Sequence, residues 1–199
     1  MSKKVVAILG TYRKGGTIDT VVEAILEGSR KNRASTRTIY LTEQHIEFCT
    51  NCRQCTQEPG PERGKCRQQD DLESILTEIE TADAVVLASP VNFGNTTAIF
   101  RRFMERLIGS GYWPWGDAAP KPRTKVRTLK AALVATSAAP GFMIPLFTGT
   151  RTALRMTAKT LGAKPIASLW IGLSAAEPHH RPSARKLARA RHIGMKLVV

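Results

Sequence analysis

The sequence predicts an α/β protein in which a doubly wound, five-stranded parallel sheet carries helices on both faces. Short apolar runs alternate with longer stretches of helical periodicity along the whole chain. Parallel strands joined in this way need helical crossovers, and those crossovers cover both sheet faces. The 199 residues, 42% apolar and 23% charged, suffice for one domain with a substantial core, so residues 1–199 are read as a single domain.

The elements follow in order. KKVVAILG is a first strand, and TIDTVVEAILEGSRKN is a helix with Ile18, Val21, Val22, Ile25 and Leu26 on one face. TRTIYL is a second strand, and DDLESILTEIETA is a helix whose apolar face is Leu72, Ile75, Leu76 and Ile79. DAVVLASP and TTAIFRRFMERLIG form the third strand and its helix, and if the connection between them is an ordinary one, Thr96 or Asn95 is its cap. LKAALVATS and TGTRTALRMTAKTLG are the fourth pair, and PIASLWIG and RPSARKLARARHIGMKL the fifth. Two stretches stand outside this alternation. Residues 42–70 are a long inserted segment that holds all four cysteines, and residues 111–128 form a loop with Tyr112, Trp113 and Trp115. Those aromatics suit a subunit interface, a wall of a ligand site or packing over the protein's own core.

Residues 1–9 begin basic and apolar but lead into GTYRKGGT without a cleavage site, so they read as a strand and not a signal peptide. The longest apolar run, AALVA, is too short to span a bilayer, and a cytoplasmic protein without membrane insertion is expected. Clustered thiols in that compartment favour metal or redox work over a structural disulfide. The net charge of +14 is placed unevenly. Residues 1–120 carry 15 basic and 15 acidic side chains, whereas residues 121–199 carry 15 basic side chains against Glu177 alone. No aromatics interleave with that basic third, so a nucleic-acid platform is not the reading adopted, and a solvated helix face is preferred.

Ligands of an open α/β sheet bind where strand carboxyl ends meet the following loops. Three such loops stand out. GTYRKGGT offers Gly10 and Gly16 for close backbone approach, hydroxyls from Thr11 and Thr17, a guanidinium from Arg13 and a helix N-terminus, all suited to a phosphate. SPVNFGNTT, after the third strand, places Pro90, Val91, Asn92, Phe93, Gly94 and Asn95 where main-chain groups can meet the polar edge of a flat ring. TSAAPGF, with Thr136, Ser137 and Gly141, is a third small loop at the same edge. Together they point to a phosphate-bearing ring compound.

GTYRKGGT, the cysteine window followed by DDL, and ADAVVLASPVNFGNTTAIFRRFMERL resemble the NAD(P)H-dependent FMN reductase family of flavodoxin-like fold, most of all its iron–sulfur flavoprotein branch. The resemblance implies strand order 2-1-3-4-5, with FMN at the carboxyl edge of the sheet. It carries Gly10, Arg13 and Gly16 over as phosphate-loop residues, with Thr11 in place of the usual serine and Thr17 where asparagine is usual, and Pro90, Val91, Phe93, Gly94 and Asn95 as flavin contacts. Ile18 stands where the family usually has a threonine, and Asn92 where it usually has a tyrosine. The resemblance also implies a homo-oligomer. A flavin takes the hydride and releases one or two electrons, which accords with the lack of a triad or paired carboxylates. His45, His179, His180 and His192 are scattered and taken as surface or structural residues, and Asp70 and Asp71 as helix-opening carboxylates.

The cysteines Cys49, Cys52, Cys55 and Cys66 admit three readings. A C-x2-C-x2-C run with a later fourth cysteine suits a 4Fe–4S cluster, four thiolates suit zinc, and the thiols can also be free or a Cys52–Cys55 redox pair. The resemblance favours the cluster, although the ten-residue gap before Cys66 is longer than the family's usual one. The expected function is therefore an oxidoreductase. Electrons would pass from NAD(P)H or ferredoxin through FMN to a small acceptor such as a quinone or dioxygen. The competing readings are a flavodoxin-type carrier without substrate turnover, and a zinc-bearing nucleic-acid binder that leaves all three loops unexplained.

Overall fold

A computed structural model describes residues 2–123, 128–177 and 179–199. Its elements run β1 (Lys4–Leu9), α1 (Thr17–Lys31), β2 (Ser35–Tyr40), α2 (Leu72–Glu80), β3 (Ala84–Asn92), β4 (Asn95–Thr96), α3 (Ala98–Glu105), β5 (Gly111–Tyr112) and β6 (Lys121–Pro122). They continue through β7 (Leu129–Thr136), α4 (Ile144–Phe147), α5 (Thr150–Thr160), β8 (Ala163–Ile171) and α6 (Ala184–Leu197). The main sheet has the order β2-β1-β3-β7-β8, all parallel, which is the 2-1-3-4-5 arrangement for the five principal strands.

Strand alternation divides the core in two. Val6, Ile8, Val85 and Leu87 face α2, α3 and α5, whereas Val5, Ala7, Leu9 and Val86 face α1 and α6. Val5–Leu9 in β1 and Ala84–Ala88 in β3 are so deeply covered that both strands read as continuous apolar runs, as buried parallel strands do. The first layer is anchored by Phe100 and Phe103, packed edge-to-face with centroids 6.1 Å apart. In the second, α1 crosses α6 through glycine: Gly28 lies against the Arg191 backbone and Gly194 against that of Ile25.

Three local features depart from the sequence reading. β3 runs on to Asn92 and turns back as a hairpin with β4, so Pro90, Val91 and Asn92 belong to a strand end and not a loop. Phe93 and Gly94 form the turn with φ of +49° and +78°. The helix cap is Thr97, not Asn95 or Thr96, because the Thr97 side chain accepts the Phe100 N–H. The third helix ends at Glu105 and tightens into a 3₁₀ turn over Arg106–Ser110. Among the described residues no helix is long and apolar enough to cross a membrane.

Candidate functional site

The carboxyl ends of β1, β3, β7 and β8 meet at one edge. After β1, Gly10 is buried, and a side chain there would stand 2.7 Å from Phe100 Cβ and 3.1 Å from Thr97 Oγ1. That crowding is why β1 ends on glycine. Thr97 ties two loops together: its hydroxyl donates to the Gly10 carbonyl at 2.5 Å, while its N–H donates to Ser89 Oγ at 3.1 Å. Tyr12 adds a second tie, its hydroxyl accepting the Ile99 N–H at 3.1 Å.

Gly16 caps α1 without a side-chain hydrogen bond, so the donors of the first turn have no side-chain acceptor at the cap. Gly15, with φ +70°, makes the preceding turn. The buried Thr11 hydroxyl accepts the Arg13 N–H at 3.1 Å and shapes the loop. Glycine, exposed cationic side chains and an uncapped N-terminus fit the phosphate of FMN. Two residues behave differently from the sequence expectation. The Ile18 side chain is packed in the α1–α6 core at 3% exposure, leaving only its main chain for a ligand. The Thr17 hydroxyl donates to the His180 carbonyl at 3.2 Å and lies 3.3 Å from His180 Nδ1, which brings the segment before α6 to the loop after β1. Asp19 accepts the Gly15 N–H at 2.5 Å and the Tyr40 hydroxyl at 3.2 Å. Burial raises the Asp19 carboxyl, against the lowering effect of those hydrogen bonds and of Lys14.

At the second loop, Phe93 is fully exposed, Asn92 and Gly94 are exposed, and Asn95 is half-buried. The hairpin is held from behind, since the Gly94 carbonyl accepts the Gly149 N–H at 2.8 Å and Gly149 packs on the Asn95 amide. A rigid turn with an outward aromatic can cover one face of a planar ligand. At the third loop, Thr136 and Ser137 are buried and their backbone serves the neighbouring connection. The Ser137 N–H donates to Ile171 O at 2.9 Å, and its carbonyl accepts from Ser174. Gly141 lies against the Trp170 carbonyl, so this loop braces the segment after β8.

The cysteine segment closes on itself. Cys49, Cys52, Cys55 and Cys66 are free thiols that line one narrow pocket with Arg106 and Gln68. Residues 57–65, the bulk of the long gap, fold back under Arg123. Its guanidinium donates to the carbonyls of Glu58 (2.7 Å), Gly60 (3.2 Å), Cys55 (3.2 Å) and Gly109 (3.1 Å). Gly64 fits against Cys55 and donates its N–H to Gly109 O at 2.9 Å, which returns the chain to Cys66. Burial and then the neighbouring thiols Cys66, Cys49 and Cys52 push the Cys55 thiol up, whereas the Gln54 N–H lowers Cys52. Among the described residues no three His, Cys, Asp or Glu side chains are grouped to hold a single metal ion.

Other residues of this segment carry no sequence signal. Arg53 stacks between the rings of Trp113 (3.8 Å) and Trp115 (4.2 Å) and donates to Trp113 O at 2.7 Å. The aromatic loop therefore docks on the cysteine segment, and its residues 124–127 lie outside the described chain. Asp70 and Asp71 do more than open α2. Asp71 accepts the His45 N–H at 2.7 Å, and Asp70 accepts that of Glu47 at 2.8 Å, which pins the start of the segment to the helix.

Comparison with known proteins places this geometry in a lineage. The family model described as NADPH-dependent FMN reductase matches residues 3–176. A curated iron–sulfur flavoprotein from Archaeoglobus fulgidus is 32% identical over 111 residues, covering 56% of this chain and 48% of its own length. The chain thus spans about half the length of the curated relatives it matches. Among solved structures, an NAD(P)H:quinone oxidoreductase from Methanothermobacter marburgensis matches with a TM-score of 0.69 at 20% identity, covering 99% of this chain and 96% of that one. An azoreductase from Bacillus anthracis gives 0.70 at 14% identity, with 98% and 99% covered. With the family match running through all five principal strands, the chain belongs to the NADPH-dependent FMN reductase family.

Proposed function

We propose that the protein is an FMN-dependent oxidoreductase that passes electrons from NAD(P)H, or from a ferredoxin, to a small acceptor of the quinone class. The observation that carries this reading is the uncapped α1 N-terminus and the Phe93–Gly94 turn, joined through Thr97 at one sheet edge, in a chain of this family. Bound FMN would supply the redox chemistry, taking up a hydride and releasing one or two electrons. The protein supplies position. The α1 donors with Thr11, Arg13 and Gly16 hold the phosphate, Pro90 to Asn95 flank the ring, and Thr97 keeps the two loops at a fixed separation. Similarity to a quinone oxidoreductase supports a quinone as the first acceptor to try.

The four cysteines form the second part of the proposal, a 4Fe–4S centre. All four line one pocket. Their C-x2-C-x2-C run with a later fourth cysteine is the compact spacing of a cubane cluster, whereas zinc sites more often pair two separate C-x2-C knuckles. The protein is proposed to act in the cytoplasm as a homo-oligomer. An electron carrier without turnover is the competing reading, and the basic charge of +14 suits the phosphates of a nicotinamide nucleotide in a reductase. Anaerobic oxidation of NADPH, NADH or a reduced ferredoxin with added FMN and a quinone separates the two. Turnover supports the reductase, and FMN binding without catalytic reduction of the quinone from any of the three donors refutes it.

A further inference from the structure

Two cations line the pocket of the four thiols, Arg53 and Arg106, and of these Arg106 is buried. The Arg106 side chain is 1% exposed and so is that of its partner, Asp70. Arg106 Nη1 donates to Asp70 Oδ2 at 2.5 Å and to Glu47 O at 2.6 Å, while Nη2 reaches Asp70 Oδ1 at 3.3 Å and Cys66 Sγ at 3.4 Å. Asp70 also accepts the N–H groups of Glu47 and Leu72, so the carboxylate is fixed from three sides. The guanidinium bridges the fourth cysteine to the base of the cysteine segment. A neutral apolar side chain would fill the same space without the desolvation cost of an ion pair.

We propose that Arg106 is a positioning residue that fixes Cys66 and raises the reduction potential of the centre held by the four cysteines, with Asp70 as the counterweight. This rests on the cluster reading above. In the step at issue one electron enters from a reductant such as dithionite. No bond is made or broken, and the charge of the site falls by one. A fixed cation in hydrogen-bond contact with one sulfur favours the more negative state, and the buried carboxylate behind it offsets part of that effect. Removing the cation and removing the anion therefore move the equilibrium in opposite directions. A scaffold role for the pair predicts no such opposition, because both variants would loosen the same segment.

The test is a dithionite titration of iron-loaded, FMN-reconstituted protein, followed by electron paramagnetic resonance, with iron counted per chain. At the potential that half-reduces the wild-type centre, Arg106→Gln is expected to lower the reduced-to-oxidised ratio about tenfold, or about 59 mV for one electron. Asp70→Asn is expected to raise that ratio several-fold. Arg106→Lys keeps the charge but lacks a second nitrogen for Cys66. It is expected to fold, hold iron and lower the ratio about two- to fivefold, and it carries the test if either neutral variant does not fold. A wild-type ratio in Arg106→Lys, or shifts of the same sign in Arg106→Gln and Asp70→Asn, would overturn the inference alone. Wild-type protein that takes up no iron overturns the cluster reading, and this inference with it.

Discussion

Thr97→Val isolates the contact on which the candidate site depends. The side chain is fully buried and valine has nearly the same shape, so the change removes a hydroxyl and little else. That hydroxyl donates to the Gly10 carbonyl at 2.5 Å and accepts the Phe100 N–H at 3.4 Å as the cap of α3. An unsatisfied buried acceptor costs about 1–3 kcal/mol, and a lost cap costs about 1 kcal/mol. One atom makes both bonds, so the two costs arise together, at about 2–4 kcal/mol. For a chain of this size that lowers Tm by about 5–15 °C. Thr97→Ser keeps the hydroxyl and is expected to lose no more than about 1 kcal/mol, mostly from the missing methyl. The assay is thermal unfolding followed by circular dichroism, with FMN affinity measured by flavin fluorescence quenching on the same samples. A valine variant melting within about 2 °C of wild type, or a serine variant as damaged as the valine one, would refute the assignment of Thr97 as the tie between the loops.

Other outcomes follow from the same geometry. Phe93→Ala is expected to leave stability within about 0.5 kcal/mol, because the ring is fully exposed, yet to raise the FMN dissociation constant several-fold; an unchanged constant removes Phe93 from the site. Gly28→Ala drives a methyl into the Arg191 backbone at the α1–α6 crossing and is expected to cost about 1–3 kcal/mol in urea unfolding, with no loss arguing against that close approach. Acidification should destabilise the fold. Hydrogen bonds from Arg63, Lys4 and Lys3 hold Glu73, Glu78 and Asp83 below their ordinary values. Asp70 stays low because Arg106 and two N–H groups outweigh its burial. Depressed folded values give stability that is present above the unfolded carboxylate range and lost as pH falls through the folded values, so Tm should decline below about pH 4. A Tm constant from pH 7 to pH 3 would contradict those ion pairs.

Much of the fold is legible in the residues because its signals are local. Val5–Leu9 and Ala84–Ala88 are short apolar runs next to helices with clear periodicity, and the strand order follows from the resemblance of GTYRKGGT and SPVNFGNTT. The hairpin at Phe93–Gly94 was concealed because FG is not a common turn pair and Pro90 suggested a loop. Asn95 and Thr96 are as good a cap by type as Thr97, and only the partner Gly10, 87 residues away, decides among them. The same holds for the cysteine segment. Nothing in the sequence marks Arg53, Arg106 or Arg123, whereas each is oriented by carbonyl, carboxylate or ring partners distant in sequence. His180 looks like one of four scattered histidines until α6 packs on α1 and carries it to Thr17. Long-range partners of this kind leave no periodic trace in a single chain.

The central claim, a flavin held at the carboxyl edge of the sheet, is tested most directly by the visible absorbance of the protein after incubation with FMN and removal of unbound ligand. About one flavin per chain, lowered in Thr97→Val, is the predicted result. Protein that emerges folded and monodisperse but carries no flavin would contradict the account.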